Sequence, residues 1–292
     1  MLEIDGAVIN NGGIFTRTVN PWKLDTVRSE GVTELRMQEL KKIQEYVETR
    51  KCLMQFISIE LSDPFAAECG RCANCLEQEF FRAEVGRDKV LEAIEFLRGA
   101  FLTIEPRKQW PTGWSGSEKG RIPGALLNQE GRVLCAYGDA GWGRLVVKDK
   151  YEHEHFREEL VKAAADLVND KWNLEPAPTW VTAIPSLRRS NLVPDFAKRI
   201  AAFLGLEYHQ VLFKIKDRPE QKKMKNSIQQ AGNIYDAFEV RGECPAGPVL
   251  LIDDMVDSRW TFTVCGLLLQ KAGSGPVFPF ALSSTTVGGA VE

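Results

Sequence analysis

The sequence predicts a multi-domain protein: an α-helical metal-binding subdomain, a small winged-helix-like α/β segment, and an α/β domain with a mainly parallel sheet. Three observations carry this. Four of the seven cysteines, Cys52, Cys69, Cys72 and Cys75, fall within 24 positions, spaced C-x16-C-x2-C-x2-C. From Tyr151 onward, short apolar runs alternate with amphipathic helical ones, the pattern of a parallel sheet covered on both faces. The chain has 292 residues, enough for about two domains with small attachments.

Hydrophobic residues make up 44% of the chain and charged residues 26%, which is ordinary globular material. The net charge of −3, from 37 basic and 40 acidic residues, offers no bulk electrostatic case for nucleic acid. Locally the balance shifts: Arg98 to Lys150 holds nine Lys/Arg against five Asp/Glu. No apolar run reaches the roughly 18 residues needed to cross a bilayer, so no membrane association is expected. The start, Met1-Leu-Glu-Ile-Asp5, is acidic and unlike a signal peptide, and a cytoplasmic location with reduced thiols is expected.

In residues 1–44, Asn10-Asn-Gly-Gly13 between two short apolar runs predicts a hairpin. Such a hairpin has too little core to stand alone and needs a neighbour. Apolar residues at Val32, Leu35, Leu40, Ile43 and Val47 predict a helix over 26–50 that runs straight to Cys52. Residues 45–80 carry the cysteine cluster. In 81–145, a helix over Asp88–Leu97 precedes a segment mixing cations and aromatics. A strand over Gly131–Tyr137 and a turn at Gly138–Gly141 then lead into Arg144–Val147. A helix followed by strands and a basic loop is the outline of a winged helix, and equally of a small mixed α/β linker module. Arg107, Lys108, Trp110, Lys119 and Arg121 are its candidates for pairing phosphates and stacking bases, the alternative being a solvated loop whose Trp caps a core.

Residues 146–292 form the α/β domain. The expected elements are a helix over Phe156–Trp172, a strand over Trp180–Ile184, a helix over Val193–Leu204 and a strand over Tyr208–Phe213. After a charged loop come a strand over Val249–Ile252, a helix over Thr261–Ala272 and a strand over Val277–Leu282.

Four converging thiolates repel one another unless a cation lies between them, so the cysteine cluster reads as a closed tetrahedral Zn²⁺ site. An iron–sulfur cluster is the rival. Its C-x2-C-x2-C runs place the fourth cysteine downstream and before Pro, whereas Leu76 and Glu77 follow here. Elsewhere, Val249-Leu-Leu-Ile-Asp253-Asp254 is an apolar run ending in two carboxylates, followed by a short loop and a helix. Carboxylates at the C-terminal end of a parallel strand lie where α/β sheets bind ligands, and a loop at a helix start offers free N–H groups to phosphate. No G-x-x-x-x-G-K-[ST] loop is present, which excludes ATP hydrolysis by that route.

Two family resemblances follow from these residues. Lys51-Cys52-Leu-Met-Gln-Phe56, Ser62-Asp63-Pro64 and Cys69-Gly-Arg-Cys72-Ala-Asn74-Cys75 resemble the zinc-binding subdomain of bacterial RecQ-type DNA helicases. That resemblance implies structural zinc, a following winged-helix module, and duplex or forked DNA as partner. It also implies a helicase motor in cis or in trans, so that the chain is a fragment of a longer helicase or a separate accessory in DNA unwinding, repair and recombination. The strand-acid-acid-loop of 249–261 resembles the type I phosphoribosyltransferases, and their ComF-like branch in particular. Lys150-Tyr151, Ile184-Pro185 with Arg188 and Arg189, and Gln221, Asn226, Gln230, Asn233 and Ala237-Phe238 extend that resemblance.

The second resemblance implies that Asp253 and Asp254 hold ribose hydroxyls, with Asp257, Ser258, Arg259 and Thr261 in the loop around the 5′-phosphate. It further implies a phosphorylated sugar or nucleotide ligand, phosphoribosyl pyrophosphate with Mg²⁺ first among them, either for transfer or for sensing. The chain departs from the family where Asp257 replaces Thr and Arg259 replaces Gly, followed by the bulky Trp260.

Overall fold

The structure is a computed structural model that describes residues 2–3, 6–11, 14–80, 84–114, 116–218 and 226–285. It divides into two compact units, Met1–Arg87 and Asp88–Glu292.

In the first unit, β1 (Val8–Asn11) and β2 (Ile14–Arg17) pair antiparallel, with Val8 opposite Arg17. This is the expected hairpin, although its glycines Gly12 and Gly13 lie outside the described residues. Helix α1 (Thr26–Glu48) starts where the Asp25 carboxylate accepts the Arg28 amide at 2.9 Å. It stops short of the predicted end, because Thr49 is extended and Cys52 begins a new helix, α2 (Leu53–Glu60). A single turn, α3 (Ala73–Leu76), follows the cysteine loop. Val32, Leu35, Leu40, Ile43 and Val47 are all exposed along α1. Among the described residues of this unit, only Ala7 and Cys52 are buried apolar residues.

The second unit begins with α4 (Arg87–Gly99), β3 (Leu102–Ile104), β4 (Gly131–Ala136) and α5 (Gly143–Lys148), which runs into a π-helical turn over Asp149–His153. Next come α6 (Glu158–Asp166), β5 (Trp180–Ala183), α7 (Leu192–Leu204), β6 (Glu207–Tyr208) and β7 (Leu212–Lys214). The remaining elements are α8 (Ser227–Tyr235), β8 (Phe238–Val240), β9 (Val249–Val256), α9 (Trp260–Lys271) and β10 (Val277–Ser284).

Among the described residues the main sheet has six strands in the order β3-β4-β10-β9-β5-β6. All neighbours are parallel except the edge pair β3–β4. Alternate residues of β9 feed two cores, as a doubly covered sheet requires. Leu250 and Ile252 pack with Leu160 of α6 and Phe196 of α7, while Val249 and Leu251 pack with Phe262 and Leu269 of α9.

Four expectations need correction. Residues 81–145 do not fold as a separate winged helix, because β4 pairs in parallel with β10 and so belongs to the α/β sheet. A Cβ at Gly131 would fall 2.4 Å from the Pro279 carbonyl oxygen, which shows how closely the two strands approach. Arg144–Val147 is helical rather than extended: the Asp139 carboxylate accepts the amides of Gly141 and Gly143 at 2.8 and 2.9 Å and opens a helix there. The strand expected over Tyr208–Phe213 is two strands, β6 in the main sheet and β7 paired antiparallel with β8. Finally, β9 does not end before the acids. Its parallel pairing with β10 continues through Asp253↔Ala281 to Val256↔Ser284.

Candidate functional site

Asp253 and Asp254 lie in the C-terminal half of β9, on the floor of a cavity of about 240 Å³ at the C-terminal edge of the sheet. The segment after β5, from Ile184 to Arg189, forms one wall, and Asn233 of α8 and Thr261 of α9 contribute to others. The Asp254 amide donates to Asp253 Oδ1 at 2.8 Å. Burial and the adjacent Asp254 push the Asp253 carboxyl well above the usual carboxylate range. Asp254 instead pairs with Lys150, whose Nζ lies 2.9 Å from Oδ2.

The charge around this pair is the cavity's main chemical feature. Among the described residues, Lys150, Arg188, Arg189, Lys214 and Arg218 line it, against the three carboxylates Asp217, Asp253 and Asp254. Arg189 is braced by Glu154 at 3.1 Å and lies over Tyr151, 5.2 Å from the ring centroid. Arg218 pairs with Asp236 at 2.9 Å. Such a lining suits an anion that also carries hydroxyl groups for the acids to accept. It does not suit Mg²⁺ held by the acids, which needs ionised carboxylate oxygens. Asp254 already accepts the Lys150 ammonium at 2.9 Å, which a metal ion there would have to displace.

Of the loop residues implicated by the sequence, Thr261 reaches the cavity, while Asp257, Ser258 and Arg259 are not among its described lining. The loop is turned by Arg259, whose backbone is left-handed at φ 66°. Two residues of the β3–β4 connection hold it: Arg107 Nε donates to the Ser258 carbonyl at 2.7 Å, and Arg259 Nη1 donates to the Glu105 carbonyl at 3.1 Å. Trp260 does not approach the cavity as an obstacle. It is fully buried, and its Nε1 donates to Ser227 Oγ at 3.0 Å.

The proposed base-stacking residue is likewise a core residue. Trp110 is only 4% exposed and stacks on Trp260 and Trp114 with centroids 5.3 and 5.9 Å apart, its ring edge-on to Tyr235. Arg107 is half-buried against the same group, and burial with the nearby Arg259 brings its guanidinium down to about 10. Lys108, Lys119 and Arg121 are exposed. They flank a short antiparallel excursion in which Trp110 N donates to Gly120 O at 2.8 Å and Ile122 N to Lys108 O at 2.9 Å.

In the N-terminal unit, the sulfur atoms of Cys52, Cys69, Cys72 and Cys75 all lie within 4.8 Å of one another. The Cys52–Cys72 separation of 3.9 Å is close to the roughly 3.8 Å edge of a tetrahedron with Zn–S bonds near 2.3 Å. The backbone prepares for anionic sulfur. Cys52 Sγ accepts the amides of Cys69 at 3.2 Å and Gln55 at 3.4 Å, and Cys72 Sγ accepts that of Leu53 at 3.4 Å. Burial raises the Cys72 thiol, but amide donors from Cys75 and Leu53 outweigh it and bring it down to about 6. Gly70 turns the Cys69–Cys72 loop at φ 64°, and Asn74 Nδ2 ties that loop to the carbonyls of Thr49 and Lys51, both at 2.8 Å. The four cysteines thus form a cluster whose geometry and donor chemistry suit a metal ion.

Sequence reasoning did not single out Lys214, Asp217 and Arg218. They come from the end of β7 and the connection after it, where the run Lys214-Ile-Lys-Asp-Arg218 reads as a solvated charged loop. Gln221, part of the ComF-like pattern, lies outside the described residues.

No family model and no curated protein matches the chain. Among solved structures, the adenine phosphoribosyltransferase of Leishmania tarentolae is similar at a TM-score of 0.29 and 19% identity, over 44% of this chain and 72% of that one. The adenine phosphoribosyltransferase of Leishmania donovani is similar at a TM-score of 0.31 and 16% identity, over 65% and 79% of the two chains. None of the described helices is long and apolar enough to cross a membrane.

Proposed function

We propose that residues 88–292 form a phosphoribosyltransferase-type domain that binds a phosphorylated ribose compound in the cavity at the end of β9. One observation carries this: two adjacent carboxylates on a central parallel strand face a cavity with five basic side chains among its described lining. Carboxylates accept ribose hydroxyls, and guanidinium and ammonium groups take phosphate oxygens. Thermal unfolding of the full chain with and without millimolar phosphoribosyl pyrophosphate tests it. A stabilisation that Asp254→Asn abolishes is expected; no shift for the wild-type protein would end the reading. Release of pyrophosphate on adding nucleobases would mark a transferase, and binding without release a sensor.

A second reading belongs to the N-terminal unit. Its four converging sulfurs favour a structural zinc centre of the RecQ helicase type, which would make DNA a partner and a helicase motor an associate. Lys108, Lys119 and Arg121 are the exposed cations available for DNA contact. Forked-DNA binding with a log–log salt dependence, reduced in a variant carrying Glu at all three positions, supports this reading. Salt-insensitive or absent binding removes it.

A further inference from the structure

We propose that Lys150 takes, in this cavity, the place of a divalent cation: its ammonium offsets the Asp253–Asp254 pair and meets the ligand's phosphate oxygens, so that a phosphoribosyl compound binds without Mg²⁺. This rests on the phosphoribosyl reading of the cavity and goes further, because it states how that site handles charge.

Three independent observations lead to it. Lys150 Nζ is 2.9 Å from Asp254 Oδ2, with the two side chains only 13% and 14% exposed, so the pair is largely out of water. A metal ion at Asp254 would have to displace this ammonium and then share the cavity with it. The lysine is also rigidly carried. It sits in the π-helical turn Asp149–His153, and the preceding Asp149 is 1% exposed. The Asp149 carboxylate accepts from the Arg157 backbone amide at 2.8 Å and from its guanidinium at 2.6 and 2.9 Å. π-Helical turns often mark functional positions, and this one brings the Lys150 ammonium to Asp254 of β9. Finally, the described lining brings further cationic partners for phosphate oxygens, Arg188, Arg189, Lys214 and Arg218, beside Lys150.

Calorimetric titration of the full chain with phosphoribosyl pyrophosphate, once in EDTA and once in Mg²⁺, tests the proposal. Wild-type affinity is expected to differ by less than about threefold between the two conditions, since the protein supplies the charge itself. Lys150→Met, checked for folding by circular dichroism, is expected to lose about tenfold or more in EDTA, the worth of one charge-assisted hydrogen bond. Lys150→Arg is expected to keep binding in EDTA. Wild-type binding that appears only with Mg²⁺ overturns the proposal while leaving the phosphoribosyl reading intact. The same holds if Lys150→Met binds as tightly as wild type in EDTA. No binding in either condition overturns both. If Lys150→Met does not fold, the wild-type titrations and Lys150→Arg decide alone.

Discussion

The Arg107 guanidinium carbon lies 4.2 Å from the centroid of the Trp260 indole, and its Nε donates to the carbonyl of the preceding Ser258. A residue of the β3–β4 connection thus clasps the turn that leads from β9 into α9. Arg107→Ala should destabilise the second unit by about 1–3 kcal/mol, the sum of one cation–π contact and one hydrogen bond. Urea unfolding would read this directly. Arg107→Lys should recover only part, because an ammonium cannot stack as a plane while donating sideways.

Trp110→Ala should cost about 3–5 kcal/mol, as expected for emptying an aromatic site in a packed core. Its ring touches Trp114, Trp260 and Tyr235, and its removal would take a ring contact from each of these three large groups. Loss of DNA affinity with unchanged stability would contradict the core assignment.

Asp253 gives the protein a distinctive pH dependence. Its folded carboxyl is raised by burial and by Asp254, so the native state resists ionisation while the unfolded chain does not. Below the unfolded carboxylate range near pH 4 the group costs nothing, and stability falls as pH rises through the folded value. Asp253→Asn keeps the Oδ1 that accepts the Asp254 amide. It should therefore match wild type near pH 4 and exceed it at pH 7–8. Each unit of displacement is worth about 1.4 kcal/mol. Denaturant titrations at the two pH values separate these outcomes, and a constant difference between the proteins would refute the account.

Metal removal should act on one unit only. With Ala7 and Cys52 as the buried apolar residues described in 1–87, this unit has almost no hydrophobic core to hold it. Purified protein should contain one zinc per chain by elemental analysis. A chelator should melt the N-terminal helices, since structural zinc contributes on the order of 10 kcal/mol of apparent folding energy. The main sheet should survive, seen as residual α/β circular dichroism and an unchanged Trp110–Trp260 fluorescence environment.

The centre of the sheet was legible because β5, the first half of β9 and most of β10 are buried on both faces and read as largely apolar runs. The acid pair stood out because nothing in that apolar pattern calls for two carboxylates. What stayed hidden depended on long-range pairing. Tyr208 to Phe213 contains no Gly or Pro, yet the chain leaves one sheet and joins another there. His209 N bonds to Val181 O on one side, and the Val211 carbonyl accepts from Arg241 on the other. Trp110 follows Arg107 and Lys108 and precedes Pro111, so local pattern offered a core-capping Trp and a base-stacking one side by side, and only the packing against Trp260 decides between them. Val146 is fully buried on α5, although Arg144–Val147 alone fits a strand as well as a helix. The side chain that decides between them, Asp139, lies four residues before Gly143. Lys214 and Arg218 reach the cavity through the β7–β8 pair, a tertiary placement that sequence spacing does not encode.

The left-handed backbone at Arg259 separates the contour of this corner from its chemistry. An arginine holds φ 66° there at a cost of about 1 kcal/mol, where glycine would follow the same path almost freely. The route into α9 is therefore kept by its surroundings and not by the residue at the bend. A single exchange at position 259 could change the charge of the corner while the amides beyond it kept their directions.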